Sequence, residues 1–174
     1  MNLIKQIKND WVSHGKDWTK PGFKALAYHR FGNWRMRIKP KILRIPFSIL
    51  YRFLYRRARN KYGITIPYTV KIGQGVIFEH QHGIVVHGYV TIGDNCIIRQ
   101  GVTIGNRHLD TPLAAPVIGN NVNIGCGAAI LGDIKIGNNV NIGANAVVLS
   151  SIPNNHLAYG VPAKFKERYN KVKY

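Results

Sequence analysis

Acidic side chains are scarce in this chain: seven Asp and Glu stand against 25 Lys and Arg in 174 residues, a formal charge of +18. So thin a carboxylate supply argues against hydrolysis by paired carboxylates, since Glu79 is the one acid near the histidines discussed below. Cysteine is rarer still, with Cys96 and Cys126. They read as a pair of reduced, buried thiols of a cytoplasmic protein, not as a disulfide framework or a catalytic thiol. Long apolar runs are missing. Lys5, Lys8, Asp10, Lys16 and Asp17 interrupt the first twenty residues, so no secretory leader is visible. The most apolar stretch, 42–55, is broken by Arg44 and Arg52 and is too short to span a bilayer. No Walker loop or dinucleotide fingerprint occurs, and the 18 Gly read as corner residues rather than as phosphate cradles.

What the chain does contain is a period. Aliphatic and aromatic residues recur every sixth position: Ile66, Ile72, Phe78, Ile84, then Ile92, Ile98, Ile104, then Ile118, Ile124, Ile130, Ile136, Ile142 and Val148. Four residues beyond most steps stands something small or β-branched, such as Val70, Cys96, Val122 or Ala146. Six is neither the 3.6 of a helix nor the alternation of a strand. It is the signature of a parallel β-helix, in which three hexapeptides make one triangular coil and the coils stack. The period slips twice. Two extra residues enter between Ile84 and Ile92, near His87–Gly88, and eight enter between Ile104 and Ile118. The second slip is a loop at 106–113 holding Asn106, Arg107, His108 and Asp110. Insertions into a stacked coil gather on its functional face, because the coil is committed to stacking.

The charge is uneven. Residues 1–63 hold 16 Lys and Arg against Asp10 and Asp17, residues 64–163 balance four bases with four acids, and 164–174 hold five bases and Glu167. Three regions follow: a basic helical region 1–63, a β-helix 64–163, and a basic tail 164–174, irregular after Pro162. In the first, Phe23, Leu26, Ala27, Phe31 and Trp34 mark one apolar helix face after the Pro21–Gly22 break. A second helix near 41–61 has a broad apolar face (Ile42, Ile45, Ile49, Leu50, Phe53, Leu54) and a narrow polar stripe (Arg44, Ser48, Arg52, Arg56, Arg59). Such a face packs on the β-helix or a sister subunit, or lies peripherally at the inner face of a membrane. The apolar interleaving of the basic helices and the neutral repeat argue against nucleic acid.

Three of the seven His cluster at 80, 82 and 87, with His108 on the loop. On the phase of Phe78 and Ile84, His82 takes the small inward position and His80 points outward into a groove between coils or subunits. Imidazole is the group best suited to take a proton from a hydroxyl near neutral pH. On position alone His80 leads as general base, ahead of His87 and then of His82 and His108. His82 and His87 also form a plausible zinc pair. Catalytic zinc needs three protein ligands, and the upstream histidines lie in the helical region, so no metal is expected.

The residues Gly63-Ile-Thr-Ile-Pro67, Phe78-Glu-His-Gln-His-Gly-Ile-Val-Val-His87, Gln100-Gly-Val-Thr-Ile-Gly105 and Gly160-Val-Pro-Ala-Lys164 resemble the serine acetyltransferase-like branch of the hexapeptide acyltransferases, especially members that O-acetylate sugars of bacterial polysaccharides. The resemblance covers about 63–165. It implies a left-handed parallel β-helix, a homotrimer, and acetyl-CoA as co-substrate in the groove between subunits. It aligns His80 with the catalytic base, Cys126 and Ala144 with backbone lining the acetyl-CoA groove, and Ala163 and Lys164 with the nucleotide end. His87 is expected to orient the acceptor or share the proton, and Glu79, His82, Arg107 and His108 to contact the acceptor. Two departures bear on that acceptor. Thr65 stands where serine acetyltransferases have an Asp, so His80 is expected to be held by a backbone carbonyl or by Glu79. Ala114-Ala115-Pro116 stands where they carry the Arg-His-Pro that holds the serine carboxylate. The expected reaction is therefore O-acetylation of a saccharide hydroxyl in surface polysaccharide synthesis, with serine O-acetylation as the alternative.

Overall fold

A computed structural model describes residues 2–167. Three helices come first: α1 (Leu3–Ser13), α2 (Pro21–Arg35) and α3 (Lys41–Tyr62). The Asn2 side chain accepts the Ile4 N–H at 3.1 Å to start α1. Pro21 opens α2, where its missing N–H costs nothing. Gly63, at φ 62°, turns the chain out of α3 in the left-handed region.

A three-sided parallel β-helix follows. One wall is β1 (Ile64–Thr65), β4 (Ile84–Val86), β7 (Thr103–Gly105), β10 (Ala129–Leu131) and β13 (Val147–Val148). A second is β2 (Lys71–Ile72), β5 (Thr91–Ile92), β8 (Val117–Ile118) and β11 (Lys135–Ile136). The third is β3 (Ile77–Phe78), β6 (Ile97–Ile98), β9 (Asn123–Ile124), β12 (Asn141–Ile142) and β14 (His156–Tyr159), closed by an antiparallel β15 (Lys164–Glu167). The start of the basic tail is therefore a strand, because its backbone pairs along β14; residues 168–174 lie outside the described residues. The aliphatic steps point inward and are almost wholly buried, with Val76, Val102, Ala128 and Ala146 filling the corners between them.

The register corrects the first slip. β4 pairs with β7 as Val85–Thr103 and Val86–Ile104. Val86 is thus the step, and Ile84 takes the inner corner position that Val102 takes in the next coil. The two extra residues belong to the turn 79–83, not to His87–Gly88. That turn has five residues between Phe78 and Ile84 where the next coil has three between Ile98 and Val102. It bulges outward, so His82 is exposed rather than inward. The second slip falls in the connection 106–116, which leaves β7 and returns at β8.

The helices also depart from their apolar patterns. The deepest face of α2 is Gly22, Ala25, Leu26, His29 and Arg30. Gly22 lets the helix press on the coil there, while Phe31 and Trp34 pack against Phe47 of α3 instead. In α3 the buried residues are Tyr51, Ala58 and Tyr62. Tyr51 accepts the Tyr68 N–H at 3.1 Å, and the Arg35 guanidinium lies over both rings, which meet each other edge to face. With that polar-aromatic seam inward, Ile42, Ile45, Ile49 and Phe53 face outward.

Candidate active site

His80 sits at the apex of the enlarged turn after β3. Its φ of 65° and the 75° of His82 are left-handed, a conformation that costs an L-residue energy and that clusters at functional turns. The turn is bolted on both sides: the His82 N–H donates to Tyr62 O at 2.8 Å, and His82 O accepts from Gly101 N–H at 3.0 Å. His80 is exposed, as its phase predicts. Among the described residues nothing hydrogen-bonds its imidazole. Glu79 does not hold it: the carboxylate faces Arg99 at 3.0 Å, and Arg99 reaches on to Asn123. The reason is register, since Glu79 and Arg99 follow the paired steps Phe78 and Ile98 and stack on one face.

Beside His80 opens a cleft of about 450 Å³, lined by Ser13, His14, Lys20, Gly22, Glu79 and Gln81 among others. Its floor is fixed by polar contacts inside the helices. His14 is buried, donates Nδ1–H to Asp10 O at 2.6 Å, and accepts the Phe78 N–H on Nε2 at 3.4 Å. Both roles require a neutral ring, and burial accordingly holds its pKa below the ordinary value. Asp10 and Arg30 form a buried ion pair at 2.9 Å, and Arg30 also donates to Ile72 O and Gly73 O, each at 2.6 Å. Burial raises the Asp10 carboxyl above its usual range even so, with the Arg30 contacts opposing. Ser13, His14 and Lys20 escaped the sequence reading. Only the Pro-Gly break after Lys20 marks this turn, and no spacing ties it to residue 80.

The edge of the prism between the third wall and the first links the other candidates. Up that edge run His82, Gln100, Cys126 and Ala144, joined by Gly101 N–H to His82 O, Gly127 N–H to Gln100 O and Asn145 N–H to Cys126 O at 2.8–3.0 Å. Cys126 is half-buried, not buried as expected, because it occupies the corner and not the inner row; Cys96 is inward, and burial raises its thiol pKa. Ala144 is exposed, and Ala163 rejoins the edge through its N–H to Val147 O at 2.8 Å, followed by exposed Lys164. His87, Arg107 and His108 do not join them. His87 follows β4 at its far end, beneath the root of the 106–113 loop, and Arg107 and His108 are exposed on that loop. The His87 ring leans on Tyr89, and its buried Nδ1 has no partner among the described residues. Among those residues no three His, Cys, Asp or Glu side chains gather as a metal site.

The profile described as bacterial transferase hexapeptide (six repeats) matches residues 115–150. The putative colanic acid biosynthesis acetyltransferase WcaB of Escherichia coli K12 is 38% identical over 84% of this chain and 91% of its own length. The chain belongs to the hexapeptide-repeat transferases. This hexapeptide-repeat chain is also 37% identical to a serine acetyltransferase of Synechococcus elongatus over 83% of its length, but spans only 56% of that relative. Among solved structures, soybean serine acetyltransferase complexed with serine superimposes with a TM-score of 0.79 at 32% identity, covering 94% of this chain and 69% of that one. The enzyme from Vibrio cholerae gives 0.81 at 26% identity, covering 97% and 67%. The likeness reaches past the coil into the helices, and the coil is the left-handed β-helix of these neighbours.

Proposed function

We propose that this chain is an acetyl-CoA-dependent O-acetyltransferase in which His80 is the general base. The observation that carries the reading is the position of His80: exposed on a bolted turn, beside the cleft that Ser13, His14 and Lys20 also line, at the foot of the edge that carries Cys126 and Ala144. Cys126 and Ala144 are small and leave backbone open to an extended thioester arm, and we assign Lys164 to its phosphates. The acceptor hydroxyl gives its proton to His80 while its oxygen attacks the thioester carbonyl. The tetrahedral oxyanion, stabilised by a backbone N–H, collapses and expels CoA thiolate, which takes the proton from the imidazolium. No covalent enzyme intermediate is needed.

The reaction is proposed to take place between copies of a homotrimer. His87, Arg107 and His108 lie at the other end of β4 from His80, so they serve the same reaction only from a neighbouring copy. The unpartnered Nδ1 of His87 supports that reading.

Two acceptors compete. The comparisons favour free serine, the substrate class named for most relatives and for the solved neighbours. One feature of the cleft agrees: Lys20 lines it and offers a cation to a carboxylate. A saccharide hydroxyl is supported by this chain's departures, Thr65 and Ala114–Ala115, by Ala115 being buried and chargeless, and by the near-full-length match to the colanic acid relative. We take the saccharide as the lead reading on those residues and serine as the second. CoA release with free serine and with surface-polysaccharide oligosaccharides, run side by side, separates them. His80→Ala should lose at least about 100-fold with either acceptor while remaining folded. An active, folded His80→Ala protein ends the assignment.

A further inference from the structure

The outward face of α3 has no partner among the described residues and an unusual composition. Ile42, Ile45, Ile49 and Phe53 are 79%, 55%, 64% and 62% exposed. Their spacing of three, four and four residues puts them on one stripe along the helix. Arg52 and Arg56 border the stripe and, with Ile49 and Phe53, line a shallow groove of about 370 Å³. Cations set along an apolar floor are the arrangement of a helix lying in a lipid interface, with guanidinium groups at phosphate level and apolar side chains among the acyl chains. No helix among the described residues is long and apolar enough to cross a membrane, which leaves the in-plane orientation.

The charge selects the occupant. From residue 18 to residue 78 there is no Asp or Glu. A second copy of this chain is a poor match for the face. Two α3 faces brought together would oppose arginines to arginines; of the seven acids Asp10 is buried against Arg30, Glu79 is engaged by Arg99, and the other five are scattered singly along the sequence. An anionic surface neutralises these cations while the apolar stripe leaves water.

We propose that α3 docks the protein on an anionic phospholipid bilayer through Ile42, Ile45, Ile49 and Phe53, with Arg52 and Arg56 engaging lipid phosphates. The proposal does not depend on acetyl transfer or on which acceptor is used. Its test is flotation of the full chain with vesicles of phosphatidylcholine alone and of phosphatidylcholine with about one-third phosphatidylglycerol, at about 0.1 M and about 0.5 M salt. Binding should be at least tenfold stronger to the anionic vesicles at low salt. Ile49→Glu/Phe53→Glu and, separately, Arg52→Gln/Arg56→Gln should each lose at least tenfold, with unchanged circular dichroism and unchanged mass by sedimentation. The proposal is overturned by a wild-type chain that fails to float with anionic vesicles, or by folded variants that float as well as wild type. A variant whose oligomer mass falls also overturns it, because the face would then be a subunit interface.

Discussion

His14 Nε2 accepts the backbone N–H of Phe78 at 3.4 Å, tying the buried residue that caps the C-terminus of α1 to the last residue of β3, two before His80. The same residue is pressed from the other side. A Cβ on Gly22 would come within 1.9 Å of the Phe78 carbonyl oxygen, a backbone atom that the coil holds in place.

Gly22→Ala should therefore force α2 off the coil rather than displace a flexible side chain. Overpacking of this kind costs about 1–3 kcal/mol. Because the strain lands two residues before His80, acetyl transfer should fall by more than the lost folded fraction explains. Urea unfolding and single-turnover transfer on the folded protein measure the two effects separately.

The Asp10–Arg30 pair is nearly inaccessible, with side chains 2% and 6% exposed. Asp10→Asn leaves a guanidinium buried without its counter-charge, and removing one partner of such a pair costs about 3–5 kcal/mol. Arg30→Lys should not substitute, since a single ammonium cannot serve Asp10, Ile72 O and Gly73 O in the fork that Arg30 provides. Thermal melts of both variants should shift down strongly, with Asp10→Asn at least as damaged as Arg30→Lys.

His29 supplies the pH dependence. It is buried, donates Nδ1–H to Pro67 O at 3.0 Å, and is held by desolvation and then by Arg30 at a pKa of about 4 against an ordinary 6.5. The folded state thus resists a proton that the unfolded state accepts. This stabilisation is whole above 6.5 and declines as pH falls toward 4, a loss of about 3 kcal/mol. His14 acts in the same direction. Asp10, raised by burial, acts in the opposite one, taking its proton earlier in the folded state. Denaturant unfolding at several pH values should show stability falling between pH 6.5 and 4, with a shallower fall in His29→Gln, where the Asp10 and His14 contributions remain.

The six-residue ladder was legible because stacking imposes it on every coil, and its second slip falls in the connection between β7 and β8. The first slip was misplaced for a reason the letters hide: Ile84 and Val86 are both apolar, and only pairing with Val102 and Ile104 decides which is the step. That choice moves the insertion onto the turn of His80 and exposes His82. The helices were harder. Apolar letters suggest an inward face for α3, yet Tyr51, stacked on Arg35 and capped by the Tyr68 N–H, takes that side, an arrangement set by contacts 16 and 17 residues away. Lys20 and His14 were invisible because the cleft joins a turn between helices to a corner of the coil.

Lys20 gives the last prediction, and it bears on the acceptor. Among the described residues Lys20 is the Lys or Arg that lines the cleft beside His80. If the acceptor carries a carboxylate, Lys20→Gln should raise its KM about tenfold, the loss of one charge-assisted contact, with kcat little changed. For a neutral saccharide the same substitution should leave KM within about twofold. Lys20 is exposed, so neither outcome is confounded by unfolding. Steady-state kinetics of Lys20→Gln with serine and with a neutral oligosaccharide therefore reports which acceptor the cleft is built for. An unchanged KM for serine would remove the cleft's one feature in favour of that reading.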